Sequence, residues 1–142
     1  MTLNEKDILL KDLCMRLPYG VNMATPFGTG LLTSIRINDS VEKIGVNIDP
    51  SLIRTFSVDD VKPYLFPLSS VTEEQKNELR EMEWAFDNST ICNIIECLGT
   101  YRAYVDHFCC SELIDWCIKN HFDYRGLIPM RLANDATGLN IY

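Results

Sequence analysis

Three short segments decide the fold: LLTSIRI (Leu31–Ile37), VEKIGVNI (Val41–Ile48) and LIRTF (Leu52–Phe56). Each is rich in β-branched and apolar residues, and turn-forming residues separate them. Parallel pairing of neighbouring strands needs a crossover of about a dozen residues or more, and the connections here are much shorter. The sequence therefore predicts that these strands form an antiparallel sheet.

The flanking sequence extends this sheet on both sides. Tyr19–Thr25 has strand composition, and Pro26–Gly30 is typical of a turn. Val58–Leu65 is predicted to be a final turn and edge strand, because Pro63 is tolerated where no ladder hydrogen bond is donated. Strands this short, joined by tight turns, favour a small antiparallel sheet or its closure into an SH3-like barrel.

A helix is predicted to precede the sheet. Asn4 is a plausible N-cap, and Leu9 and Leu13 fall on one face of the helix that follows. Pro18 disfavours helical geometry in the residue before it, so the helix is expected to end at Leu17.

The second half of the chain changes to a helical period. Thr72 and Gln75 form a capping-box pattern, which predicts a helix to about Trp84. A second helix over Ile91–Leu98 follows, while Tyr101–Phe108 is interpreted as a strand, with a helix as the alternative. The apolar sides of the first and last helices of this half are assigned to Leu79, Met82 and Phe86, and to Leu113, Ile114, Cys117 and Ile118 after a cap at Ser111.

Together these patterns predict one α+β domain over residues 1–142. Residues 1–68 are expected to hold the N-terminal helix and the small antiparallel sheet or SH3-like barrel, and residues 69–142 a mainly helical half packed on it. A chain of 142 residues is long enough to bury a single core.

Charge and hydropathy narrow the class of protein. The net charge of −7 repels phosphate backbones, and the basic residues are scattered, so nucleic acid is an unlikely partner. The start of the chain lacks a signal-peptide pattern, and its apolar runs are shorter than a membrane span. We therefore expect a cytoplasmic protein that contacts no membrane.

The cysteines and histidines do not form a recognisable metal site. No two cysteines have the Cys-x2-Cys spacing of zinc modules, so we predict no metal and no cofactor. In a reducing cytoplasm the cysteines are expected to be thiols. The residues weighed as zinc ligands are His107, Cys109, Cys110, Cys117 and His121.

No catalytic motif is present either. Cys117 or Cys110 could be drawn beside His121 and Asp123 as a nucleophile, base and orienting acid, but no further sequence context supports the trio. The glycines of Gly28–Ser34 are explained by a β-turn, because the segment lacks the lysine of a phosphate-binding loop. The sequence is therefore interpreted as non-enzymatic.

Three patches of the chain carry a resemblance to a protein family. They are Lys11–Val21, Val61–Glu74 and Ile114–Ile128, the last with the core HFDYRGLI. In this order they resemble small uncharacterised proteins encoded by phages and mobile elements of gut bacteria. The resemblance implies a phage origin and an accessory role in a host cell, and it transfers no site residue.

Arg and Tyr are enriched in binding hot spots, and Arg suits anions, so five residues are predicted to form a recognition surface. A structural role is the competing interpretation, with Arg125 paired to Asp123 or Asp115 and Gly126 at positive φ. The expected partner is a host protein; the alternative is a small anionic, nucleotide-like signal that the protein sequesters as a counter-defence. A homo-oligomer also stays open. The five residues are Lys62, Tyr64, His121, Tyr124 and Arg125.

Overall fold

The computed structural model describes residues 1–38, 41–81 and 111–142. The chain divides into two compact units: Met1–Leu65 with Leu127–Tyr142, and Phe66–Gly126. Each unit has its own cluster of buried apolar side chains. The first unit is therefore built from two separate stretches of sequence.

Helix α1 of the first unit spans Leu3–Arg16. Its N-cap is Thr2, so the prediction of Asn4 was wrong. The Thr2 hydroxyl accepts a hydrogen bond from the Glu5 amide, and the Glu5 carboxylate accepts one from the Thr2 amide. This reciprocal pair satisfies two amides that the first turn leaves unbonded.

Four strands follow as an antiparallel meander. They are β1 (Asn22–Thr25), β2 (Gly28–Asn38), β3 (Val41–Asp49) and β4 (Leu52–Phe56). They lie side by side in the order β4-β3-β2-β1. The predicted antiparallel pairing of the three fold-deciding segments is confirmed.

Strand β5 spans Lys62–Pro67 and follows a one-turn 3-10 helix at Val58–Asp60. It pairs antiparallel with β1, so that Pro63 lies opposite Met23. The first unit therefore has the strand order β4-β3-β2-β1-β5.

The other side of β5 is also occupied. Strand β7 (Asn134–Asp135) pairs parallel with Tyr64 and Leu65 of β5. The prediction of an edge strand here was wrong, and the sheet is mixed and not wholly antiparallel. Pro63 is tolerated because pairing with β7 begins one residue after it.

The core of the first unit lies between α1, the sheet and Leu127–Tyr142, which we call the returning segment. Leu9 and Leu13 of α1 are fully buried, as their spacing predicted. The segment after Leu127 contributes buried side chains of its own, Leu132 and Ala133 among them.

The second unit contains helix α2 (Glu73–Glu81), helix α3 (Ser111–Lys119) and strand β6 (Phe122–Asp123). The predicted capping box at Thr72 is confirmed, since Gln75 and Thr72 exchange hydrogen bonds. Buried side chains include Leu79, Leu113, Cys117 and Ile118, as predicted. Ser111 is the first residue of α3 and not a residue before it.

A mainly helical second half is not supported. Among the described residues after α3, the chain forms turns and the short strands β6 and β7. The α+β class with a small sheet is confirmed. In the described parts of the chain, no helix is long and apolar enough to cross a membrane. The predictions for Met82, Trp84, Phe86, Ile91–Leu98 and Tyr101–Phe108 lie outside the described residues.

Candidate binding surface

The three strands β2, β3 and β4 have two different faces. Leu32 of β2 lies opposite Val46 of β3, and Ile35 lies opposite Ile44. Leu32, Val46 and Ile44 are buried in the core of the first unit, and Ile35 packs against it. Because successive side chains of a strand point to opposite faces, the residues between them face away from this core.

We call the side turned away from this core the outer face. Its first row is Leu31, Asn47 and Ile53, which are direct partners across the three strands. Direct partners in a ladder share a face. The outer face consists of Leu31, Thr33, Ser34, Arg36, Lys43, Gly45, Asn47, Ile53 and Thr55.

One end of the outer face is apolar. Ile53 is 59% exposed and Leu31 is 42% exposed. Asn47 lies between them, and its buried side-chain oxygen has no hydrogen-bond partner among the described residues. A bound group that donates a hydrogen bond there would satisfy this oxygen.

The middle of the outer face is flat and lined by hydroxyl groups. A β-bulge between Leu32 and Ser34 turns Thr33 and Ser34 toward Gly45. The Thr33 hydroxyl donates a hydrogen bond of 3.0 Å to the Gly45 carbonyl oxygen. A β-carbon at Gly45 would lie only 2.2 Å from the Ser34 hydroxyl oxygen. Glycine is therefore required here by the close approach of Ser34.

The other end of the outer face is cationic. Arg36 and Lys43 are direct partners across β2 and β3, and both are exposed. Like charges in directly opposed positions destabilise a sheet. No acidic residue belongs to the outer face, although the whole chain carries a net charge of −7. Glu42 precedes Lys43 in β3 and lines a depression together with it.

Strand β4 forms the border of the outer face. It pairs with β3 on one side, and no described strand lies on its other side. The guanidinium carbon of Arg54 is 4.6 Å from the ring centroid of Phe27, and that ring is 6.1 Å from Phe56. Phe27 is 65% exposed. We call Leu52–Phe56 together with Phe27 the β4 edge.

Beside the outer face is an open depression that contains Lys6 and Lys43 together with Glu42. Lys6 forms an ion pair with Asp59. Hydrogen bonding to that carboxylate raises the pKa of Lys6 above its ordinary value. The Lys6 ammonium group is therefore already engaged by a partner within the protein.

Two of the predicted site residues, Lys62 and Tyr64, are half-buried residues of β5 in the first unit. The Tyr64 carbonyl oxygen accepts a 2.7 Å hydrogen bond from the Tyr142 hydroxyl, which in turn accepts one from the Asn22 amide. Burial raises the pKa of Tyr142 to about 12. Here β5 holds the last residue of the chain against β1.

The other three, His121, Tyr124 and Arg125, belong to the second unit. Tyr124 is only 1% exposed, and the guanidinium carbon of Arg125 lies 4.9 Å from its ring centroid. His121 has a positive φ of 62°, and its carbonyl oxygen accepts a hydrogen bond from the Phe66 amide. Gly126 has the expected positive φ, at 69°. The structure thus brings Tyr124 and Arg125 together, and their role in binding stays a prediction.

The sequence interpretation missed the outer face. The strands were predicted, but which of their two faces would be exposed to solvent was not. The available signal was the alternation along each strand, which together with the β2 bulge puts Leu31, Arg36, Lys43 and Ile53 on one face, where like charges without acidic residues are unusual.

The described part of the chain contains no group of three or more His, Cys, Asp or Glu side chains that could hold a metal ion. Cys14 is an exposed thiol and Cys117 a buried one. The weighed ligands His107, Cys109 and Cys110 lie outside the described residues. No protein-family model, curated protein or solved structure matches the chain.

Proposed function

We propose that the protein is a non-enzymatic binding protein that recognises another protein through the outer face and the β4 edge. The observation that carries the proposal is the exposure of Ile53 and Phe27 on the two faces of β4, a strand with one edge that no described strand pairs. Exposed apolar groups beside an arginine are typical of protein interaction sites. A rigid sheet presents them without a further ordering cost.

The sheet topology supports an SH3-like closure as part of this proposal. Strand order β4-β3-β2-β1-β5, a 3-10 helix before β5 and a long bulged β2 are consistent with it. With the resemblance to phage-encoded proteins, the proposed role is that of an accessory protein in the host cytoplasm whose partner is a host protein. A counter-defence role fits the same surface.

Sequestration of a small anionic ligand is the second candidate. It is favoured by the depression that contains Lys6 and Lys43. However, Asp59 already pairs with Lys6, and Glu42 adds negative charge beside it. A ligand phosphate would have to compete with both carboxylates, so a protein partner is the better supported function.

The function is tested by affinity capture from host lysate with Ile53→Asp. The matched control is Ile37→Asp, because Ile37 has nearly the same exposure, 60%, and lies outside both the outer face and the β4 edge. We expect the wild type and Ile37→Asp to retain the same host protein and Ile53→Asp to lose it, with unchanged melting temperatures.

The same experiment separates the two candidates. A nucleotide panel is added in a thermal-shift assay, where a ligand at a hundredfold its dissociation constant stabilises the fold by about 2.7 kcal/mol. If a nucleotide stabilises the protein, and if Ile53→Asp captures host proteins as the wild type does, sequestration is established and the proposal is rejected.

A further inference from the structure

We infer that the outer face and the β4 edge bind an extended acidic segment of the partner, which joins the sheet as a strand next to β4. This inference rests on the proposed function and specifies its ligand. It follows from three features of the surface: an open backbone edge, apolar groups on both sides of that edge, and the exposed cations Arg54 and Lys43.

The backbone of β4 is the first feature. On the side away from β3, no described strand bonds to its amides and carbonyls. Leu52, Ile53, Arg54 and Thr55 are all exposed, so a second chain can approach this side. Added strands bind such edges through main-chain hydrogen bonds, which require an extended ligand.

Side chains flank the edge above and below. Ile53 and Thr55 belong to the outer face, whereas Arg54 and Phe56 alternate with them and lie beside Phe27. The side chains of an added strand also alternate, so they would contact Ile53 on one side and the Phe27–Arg54 stack on the other. The ligand therefore needs an apolar group on each of its two faces.

Charge decides the remaining positions of the ligand. Arg54 lies on the edge itself, and Lys43 and Arg36 lie on the two strands behind it. An acidic side chain can pair with Arg54, and one near the end of β4 can approach Lys43, which lines a depression together with Thr55 and Phe56. Glu42 lies beside Lys43 in that depression, so Arg54 is the stronger of the two positions for an acidic group.

Two other occupants fit less well. Nucleic acid would need several aromatic rings to stack successive bases, and the outer face and β4 edge expose one large ring, Phe27, on which Arg54 already stacks. A second copy of the chain, paired symmetrically about the middle of β4, would place Arg54 opposite its own counterpart. An acidic peptide avoids both conflicts.

The probe is a displayed library of random linear peptides, selected on the full-length protein. We expect enrichment of peptides that carry an apolar residue for each face of the added strand and an acidic residue on the face of Arg54. The best peptide is then synthesised and its affinity measured by fluorescence anisotropy. Arg54→Glu should weaken it about tenfold or more, with a loss of affinity in high salt. Arg131→Glu, at another exposed arginine of the first unit, should change it less than about twofold.

Backbone methylation tests the strand geometry. Two versions of the peptide carry N-methyl groups on alternate residues, one set on each edge. Only one edge of an added strand faces β4, so one version should lose binding and the other should retain it. Equal binding of both versions would contradict strand addition. Sedimentation of the protein alone and titration with a single-stranded oligonucleotide complete the test, and self-association through β4 or oligonucleotide binding there would overturn the acidic-peptide assignment.

The results also separate this inference from the proposed function. If the library yields no acidic peptide while host-protein capture still depends on Ile53, the strand-addition inference is wrong and the binding function stands. If neither peptide enrichment nor Ile53-dependent capture is found, both are rejected.

Discussion

The two faces of the sheet formed by β2, β3 and β4 differ in the exposure of their side chains. Leu32 is 2% exposed and its neighbour Leu31 is 42% exposed, although both are leucines of the same strand. Side chains of α1 and of the returning segment pack against the inner side, so the residues there must fit them in size and shape. The exposed side chains of the outer face are not constrained in this way, and Leu31 and Ile53 among them are apolar. The difference indicates that the inner face specifies the fold and the outer face is free to serve binding.

The charged residues follow the same division. Asp12 and Arg16 of α1 form an ion pair of 2.6 Å in which both side chains are fully buried. Arg36 and Lys43 are exposed and of like charge. The buried pair is thus neutralised within α1, whereas Arg36 and Lys43 face each other as like charges.

The largest expected effect comes from breaking the buried pair. Asp12→Ala leaves the Arg16 guanidinium without its carboxylate and should lower the free energy of unfolding by about 3–5 kcal/mol. The control is Asp7→Ala, which removes the exposed pair with Lys11 at the same helical spacing and should cost about 0.3–0.5 kcal/mol. Urea unfolding measures both, and equal losses would show that burial does not separate these pairs.

The neighbouring leucines give the next effect. Leu32→Ala opens a cavity in the core and should cost about 2–5 kcal/mol, whereas Leu31→Ala should cost less than about 0.5 kcal/mol. Thermal unfolding of the two variants compares the faces directly. If Leu31→Ala also cost several kcal/mol, the outer face would be part of the core and not a binding surface.

A smaller effect is expected within the outer face. Gly45→Ala places a β-carbon against the Ser34 hydroxyl and should cost about 1–3 kcal/mol. Adding Ser34→Ala removes the clash and should restore most of the loss. Urea unfolding measures the stability of the double variant. If the stability does not recover, the contact with the Ser34 hydroxyl is not the cause of the loss.

The smallest effect has the opposite sign. Lys43→Ala removes like-charge repulsion with Arg36 and should stabilise the fold by about 0.2–1 kcal/mol at low salt. The gain should shrink in high salt because exposed charges are screened. Unfolding at two ionic strengths measures it, and a loss of stability at low salt would mean that Lys43 has a favourable partner instead.

The local signals in the sequence were reliable. The bounds of β4 were predicted to the residue, and the Thr72 capping box begins α2 as expected. Short-range chemistry determines both features. The N-cap of α1 was missed although Thr2 and Glu5 have capping-box spacing, because Asn4 is also a good cap.

Long-range pairing could not be predicted. Pro63 suggested an edge strand, but the true edge is β4, since β7 occupies the far side of β5. The sequence around β5 contains no feature that predicts pairing with Asn134. The outer face was missed for a related reason: exposure of Ile53 depends on which strand lies last in the sheet.

The pairing of β5 with the returning segment also has a kinetic consequence. Tyr142 donates its hydroxyl hydrogen to the Tyr64 carbonyl across a separation of 78 residues. Closing a loop of that length costs more chain entropy than forming the hairpins of β1 to β4, whose partners are adjacent in sequence. We expect the hairpins to form early and β7 to dock late. During synthesis on the ribosome, one side of β5 therefore stays uncovered until Asn134 and Asp135 have emerged.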